Sequence, residues 1–274
     1  MVRIETLAEA VDDKRMDKTL AKGLRLLEVL ALSERPRGIT ELAGDLGLTK
    51  SNVHRVLATL QATGYVQQLQ YNSHYELTTK VWHLGMHVIG RNSLVKAARP
   101  AMKRLADVTQ ETVHLSVLED IYVVYIDKID GSQHVRAHTR LGSRAPAFTV
   151  ASGKAMLAHK PEDFIERFRP HLKRYTPTTR MTIEEIRKDV ALARAHGFAT
   201  VLHGEWREGI AACACAIVGR GGQVEGAIGM SAPDTRVKRK HLKDFSVHVV
   251  AAAQSIAAVI GHAASFERDN GGSS

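Results

Sequence analysis

Between Thr49 and Thr63 the polar residues collect on one side of a helical repeat. Lys50, Ser51, Asn52, His54, Arg55 and Thr59 alternate with Val53, Val56, Leu57 and Leu60 at three- and four-residue spacing, and none of the six is acidic. These residue types suit a nucleic-acid surface. An Arg guanidinium donates two parallel bonds to a guanine edge, an Asn carboxamide bonds adenine in both directions, and Ser, Thr or Lys can hold phosphate oxygens. Lys50, the Ser51 hydroxyl and the unpaired amides of the helix start suit a phosphate in particular. A polar face of this kind can also simply meet water, and the same helical shape is reused for protein contacts.

Ala151-Ser152-Gly153 opens a short helix whose first amides could hold a carboxylate, although Ser-Gly-Lys alone reads better as a capped surface helix without a ligand. Cys213 and Cys215 share a strand face and read as buried apolar residues, since a metal or redox role needs further ligands. His83/His87 and His134/His138 have metal-compatible spacing but no third ligand nearby, so no metal is expected. The basic run from Arg236 to Lys240 reads as a solvated helix start. Neither a Gly-x-x-x-x-Gly-Lys phosphate loop nor a Gly-x-Ser-x-Gly elbow is present, and no cofactor or catalytic residue is expected.

Elements must hold these groups in place. Leu20, Leu24, Leu27, Leu30 and Ala31, widened by Leu26 and Val29, predict a first helix ended by Arg35-Pro36-Arg37-Gly38. Thr40 is placed as the N-cap of a second helix with Leu42, Ala43 and Leu46 inward and Gly47 as its stop. Thr49 or Ser51 caps the third helix, closed by Gly64. Residues 65–70 and 75–77 then predict two strands around Asn72-Ser73, a wing whose tip (Gln70, Asn72, Ser73, His74) can reach the flanking backbone. Three helices and a ribbon make a winged helix-turn-helix, whose third helix enters the major groove. Thr40, Lys50, Ser51, Asn52, His54, Arg55, Thr59, Asn72 and Ser73 are its DNA-contact candidates.

Downstream, 79–90 is helical, and Leu94–Leu105 forms a helix broken near Ala97–Arg99 by Pro100. Strand hairpins are expected at 113–118 with 121–129 and at 210–218 with 223–231, and a further strand at 134–139. Helices are expected at 152–159, 183–196 and 242–264. The fold class is α+β: a winged helix-turn-helix at 18–78, a linker helix at 79–92 and an antiparallel-sheet domain at 93–265, between flexible ends at 1–17 and 266–274.

Composition narrows the class. A chain of 274 residues with 44% apolar content can build two cores, and its net charge of +9 favours a polyanionic partner. Two Cys exclude a disulfide scaffold and fit a reducing cytoplasm, the expected location. Residues 1–18 lack the apolar core of a signal peptide. The apolar stretch 247–264, interrupted by His248, Gln254, Ser255 and His262, reads as a packed helix rather than a membrane span.

Several motifs resemble one family. Leu24-Arg25-Leu26-Leu27-Glu28, Ile39-Thr40-Glu41-Leu42-Ala43, Lys50 through Leu60 and Gly64-Tyr65-Val66 are similar to the DNA-binding half of IclR-family bacterial transcription regulators. Glu111 to Leu115, Arg140 to Pro146, Ala151 to Ala155, Arg174 to Thr179, Glu205 to Gly209 and Ile228 to Pro233 follow in family order. The resemblance implies a GAF-like effector domain, homodimers or dimers of dimers on palindromic double-stranded DNA, and an effector carboxylate held at Ala151, Ser152 and Gly153. Further pocket positions implied are Ala137, Ala145, Leu202, His203, Ile210, Ala212, Gly229 and Ser231. Leu202 and His203 stand near the place of an Asp, Ala212 in place of a Cys and Gly229 in place of a Ser found in keto-acid sensors. Smaller side chains and a missing carboxylate predict a roomier cavity, hence an effector larger than pyruvate and aromatic. The expected function is a ligand-responsive repressor of a catabolic operon, with no enzyme activity. The alternative is an enzyme acting on a small organic acid with an accessory winged-helix domain.

Overall fold

The computed structural model describes residues 17–270, which divide within a helix into two compact units at Ile89/Gly90. Residues 1–16 of the expected flexible N-terminus and 271–274 of the expected tail lie outside the described residues.

In the first unit, α1 (Lys18–Leu32), α2 (Ile39–Leu46) and α3 (Lys50–Ala62) close over Leu26, Val29, Leu30, Leu42, Leu46, Val53, Val56 and Leu57. Asp17 is the N-cap of α1, accepting from the Thr19 and Leu20 amides at 2.8 and 3.0 Å. The inward face of α1 is rotated from the expected stripe. Leu26, Val29 and Leu30 are buried, whereas Leu20, Leu24 and Ala31 are exposed, because an i, i+3, i+4 set pointing at α3 displaces the longer Leu repeat.

Thr40 is not the cap of α2. Gly38 holds that position, its N–H donating to Glu41 at 3.1 Å, and Thr40 lies exposed in the first turn. Arg35 and Arg37 reach back to the same carboxylate at 2.5 and 3.2 Å and hold it down to about 2, the Arg35 bond acting most strongly. Gly47, in the left-handed region at φ +62°, makes the turn into α3, where Thr49 is the cap and accepts from the Asn52 amide. The wing is β1 (Val66–Gln68) paired antiparallel with β2 (Tyr75–Leu77), extended by an Arg37–Tyr75 bridge. Then α4 (Thr79–Arg91) carries the chain across the boundary between the units with no buried residue.

The second unit is one antiparallel sheet in the order β5-β4-β3-β8-β7-β6: β3 (Thr112–Glu119), β4 (Tyr122–Ile129), β5 (Arg144–Pro146), β6 (Ala199–Val201), β7 (Ile210–Val218) and β8 (Val224–Pro233). Helices α5 (Ser93–Thr109) and α9 (Arg239–Asn270) pack on each other and on β3, β7 and β8. The other core joins β4, β7 and β8 residues to α6 (Ala151–Leu157) and α8 (Ile183–His196), around Phe148, Met156, Phe168 and Ile186. A short α7 (Asp163–Glu166) and strand β6 lie where no element was expected.

Two expected features differ. α5 runs unbroken through Pro100, because its buried face of Leu94, Val95, Ala98, Ala101, Met102 and Leu105 holds it, and both Pro100 and Lys96, the residue whose carbonyl it deprives of a partner, lie on the exposed side. Residues 134–139 form no strand; the sheet edge is taken by β5, and the Ala137 carbonyl instead accepts from the Thr112 hydroxyl at 3.0 Å. Over Arg239–Gly261, α9 is long and apolar enough to cross a membrane, yet Leu242, Val249, Ala252, Ala253 and Ile256 are buried in the domain.

Candidate nucleic-acid face and effector cavity

In the first unit, α3 turns Lys50, Ser51, His54, Arg55 and Thr59 outward, all exposed, with Asn52 half-buried. An Arg55 guanidinium N–H donates to the Asn52 carboxamide oxygen at 3.3 Å, which aligns the two best base-reading groups of the face. Asn72 and Ser73 lie exposed at the wing tip, where Asn72 accepts the His74 amide and Ser73 adopts φ +56°. Tyr71 beside them is 79% exposed, an aromatic ring that the wing pattern did not single out.

In the second unit a cavity of about 70 Å³ opens against the α6 side of the sheet. Of the eleven expected effector positions, Ala137, Ala151, Ser152, Ile210, Ala212 and Ser231 line it. Ala145 lies in the core beneath. Gly153 packs under the chain: a Cβ there would sit 2.0 Å from the Ala147 carbonyl oxygen, so only glycine fits. Leu202 and His203 face a different cavity, near Arg180 and Arg239, where the exposed His203 ring meets Asp234 at 3.1 Å.

Gly229 corrects the volume argument. A Cβ on it would lie 2.8 Å both from Cε1 of His114 on β3 and from Cβ of Ala214 on β7, its two cross-strand partners, so the room released on β8 is already taken by an imidazole and a methyl group. The cavity is walled by rings (His114, Tyr125 and Trp206) rather than emptied by small residues. Sequence reasoning missed all three, along with Arg140 and Arg207. Alternation on β3 and β4 could have flagged His114 and Tyr125 as polar groups on an inward face.

The site is electrostatically uneven. Burial pulls the His114 imidazole down to about 4, leaving it neutral at pH 7, and pushes the Tyr125 phenol up to about 12. The two rings meet edge to face at 5.2 Å. Arg140 and Arg207 supply positive charge, the latter stacked over Trp206 at 4.6 Å. His114 Nδ1, Glu205 Oε2 and Ser231 Oγ are buried and make no hydrogen bond within the protein, while the Ser152 hydroxyl lies near enough to the Tyr125 phenol to favour its ionisation.

A carboxylate does line the cavity, that of Glu205, engaged through Oε1 while its Oε2 is buried without a hydrogen-bond partner. The Lys154 ammonium, two residues past Ser152, is buried between Asp189 and Glu205 at 2.6 Å from each, and Arg180 adds a 2.8 Å bond to Asp189. Burial opposes the Asp189 charge, but Lys154 and Arg180 outweigh it and hold that carboxyl below its usual range; at Glu205 burial prevails and raises it. Hydroxyls of Thr176 and Thr178 donate to the Gly204 carbonyl, and that of Thr179 to the Glu205 carbonyl at 2.6 Å. The 174–179 motif therefore anchors the loop that carries Trp206 and Arg207.

Elsewhere, Cys213 and Cys215 are buried, with thiols raised by burial to about 12 and 11. Nε2 of His83 and of His87 lie 3.1 Å apart on α4, and among the described residues no group of three or more His, Cys, Asp or Glu could hold a metal. Arg236, read as solvated, instead forks onto buried Glu111 with two 2.7 Å bonds.

Comparison with known proteins agrees with this architecture. Residues 19–70 match the IclR helix-turn-helix domain, and 86–258 match the bacterial transcriptional regulator IclR C-terminal domain. The chain is 31% identical over 260 residues to the HTH-type transcriptional regulator KdgR of Escherichia coli K12, covering 93% of this chain and 98% of that one. It is 27% identical over 248 residues to the transcriptional repressor IclR of the same strain, covering 89% and 90%. An IclR transcriptional regulator of Alicyclobacillus acidocaldarius superposes with TM-score 0.78 at 25% identity, covering 89% of this chain and 99% of that structure. An IclR homologue of Microbacterium hydrocarbonoxydans, solved in complex with 4-hydroxybenzoate, shares the fold with TM-score 0.74 at 22% identity, covering 88% and 98%.

Proposed function

The chain belongs to the IclR family of bacterial transcriptional regulators, and from that membership we propose that it is a repressor of a catabolic operon that responds to a small aromatic acid. The α3 face and the wing bind a palindromic operator as a homodimer or dimer of dimers. Ligand in the second-unit cavity alters, through α4, the spacing of paired recognition helices, which must match half-sites about 34–36 Å apart or multiples of that. A ligand shifts this equilibrium only by as much as its affinity differs between the two arrangements.

The observation that carries the ligand-responsive reading is the cavity itself, where buried polar atoms of His114, Glu205 and Ser231 lack a protein hydrogen-bond partner and Arg140 and Arg207 also line the wall. Unpaired buried polar atoms cost free energy, so a site that keeps them is built for a polar guest. In this reading the carboxylate sits beside Ser152, near the first-turn amides of α6. Its aromatic body lies against Tyr125, Trp206 and Ile210. The 4-hydroxybenzoate in the Microbacterium homologue supports an aromatic acid, and the repressor named among the relatives supports the sign of regulation.

A mobility shift on DNA from the chain's own upstream region tests this. Specific binding is expected, released by benzoate-type acids and weakened by about 1–3 kcal/mol in Arg55→Ala. Indifference to every such duplex at low salt would overturn the reading. Tight pyruvate binding with no benzoate binding would overturn its aromatic part.

A further inference from the structure

We propose that His114 is the specificity-determining residue of the cavity, and that it reads an uncharged hydroxyl or carbonyl oxygen on the effector, remote from the effector's carboxylate. The inference rests on the ligand-responsive reading above and deepens it by defining the ligand's second functional group.

His114 is 4% exposed and lines the cavity, and its Nδ1 has no hydrogen-bond partner. The ring is held from two sides. Below it lies Gly229, where a Cβ would come within 2.8 Å, and beside it stands the Tyr125 ring, nearly perpendicular at 86°. Ring and site are therefore mutually fitted, and the imidazole cannot rotate away to find water without vacating the space over Gly229. On the same sheet face, two register positions along, Ser231 pairs with Thr112 as His114 pairs with Gly229, and its hydroxyl is likewise buried and unpartnered.

The chemistry of the matching group follows. A desolvated imidazole at neutral pH carries no charge, so it offers one donor and one acceptor and no Coulombic compensation for an anion. The effector's charge is therefore better placed away from this imidazole, in the part of the cavity lined by Ser152, Arg140 and Arg207. The group facing His114 and Ser231 must be neutral and able to donate or accept. A hydroxyl donates to Nδ1, and a carbonyl accepts from it in the other tautomer. An isostere ending in methyl would leave both His114 and Ser231 unpaired, and sites built to bond a hydroxyl discriminate strongly against such analogues.

The test is isothermal titration calorimetry at pH 7.5 on the full chain with benzoate, the 3- and 4-hydroxybenzoates and the 3- and 4-methylbenzoates. At least one hydroxy acid is expected to bind tenfold or more tighter than both benzoate and its own methyl isostere. That ratio should fall below threefold in His114→Phe and recover in part in His114→Asn, whose amide can occupy the place of Nδ1. The Asn variant also serves if the Phe ring fails to fold over Gly229. Equal binding of hydroxy and methyl acids overturns the proposal, as does a ratio unchanged in both variants or the absence of binding by all five acids. Operator binding by the same preparation, measured by mobility shift, shows independently whether the regulator reading stands.

Discussion

The ammonium of Lys154 lies 2.6 Å from the carboxylate of Glu205, and this bond joins the helix that begins at the cavity floor to the loop that forms its wall. Lys154 is only 2% exposed, so the pair exists because Asp189 supplies a second negative charge and Arg180 neutralises the excess. Removing one member of a buried pair leaves its partners desolvated and uncompensated. Lys154→Met is expected to lower unfolding free energy by about 3–5 kcal/mol in urea titration, and adding Glu205→Gln should restore part of the loss. A Lys154→Met protein as stable as the parent would mean the network contributes nothing net.

Acid should weaken the protein through His114. Its native value near 4 lies below the ordinary 6.5, so between those values the unfolded chain takes up a proton that the native state refuses. Stability from this residue is intact above pH 6.5 and declines as pH falls toward 4. Comparing wild type with His114→Gln by denaturant titration at pH 7.5 and 4.5, the wild type should lose about 2 kcal/mol more. Parallel losses in the two proteins would contradict a buried neutral imidazole.

Glycines 153 and 85 should respond in opposite directions. A Cβ at Gly153 would overlap the Ala147 backbone at 2.0 Å, whereas one at Gly85 meets nothing within 4 Å. Gly153→Ala should cost about 3 kcal/mol through forced displacement of α6. Gly85→Ala, inside α4, should raise stability by about 0.5–1 kcal/mol, through helix propensity alone. Thermal and urea unfolding of both variants checks the pair.

Cys213 and Cys215 should be silent to thiol reagents in the native state. Their thiols are buried and raised to about 12 and 11, so the reactive thiolate is scarce at pH 8. Ellman's reagent should report no fast-reacting thiol until guanidinium is added, then two. A rapid native reaction would show that β7 opens locally.

The sequence alone carried whatever depends on neighbours along the chain. Helical spacing placed α3 and its outward polar set, Thr49 supplied a cap, Gly47 a left-handed turn, and alternation gave the long hairpins. These are local matters of dihedral preference and periodicity, legible three or four residues at a time. The cavity was decided elsewhere. Gly229 reads as lost volume until strand register sets His114 opposite it, and Lys154 reads as a surface lysine until the fold brings Asp189 and Glu205 to it. Pro100 reads as a break until the buried face of α5 is packed. In each case the deciding partner is remote in sequence, and only the closed sheet and its helices, by excluding water, turn a nearby side chain into a strong interaction.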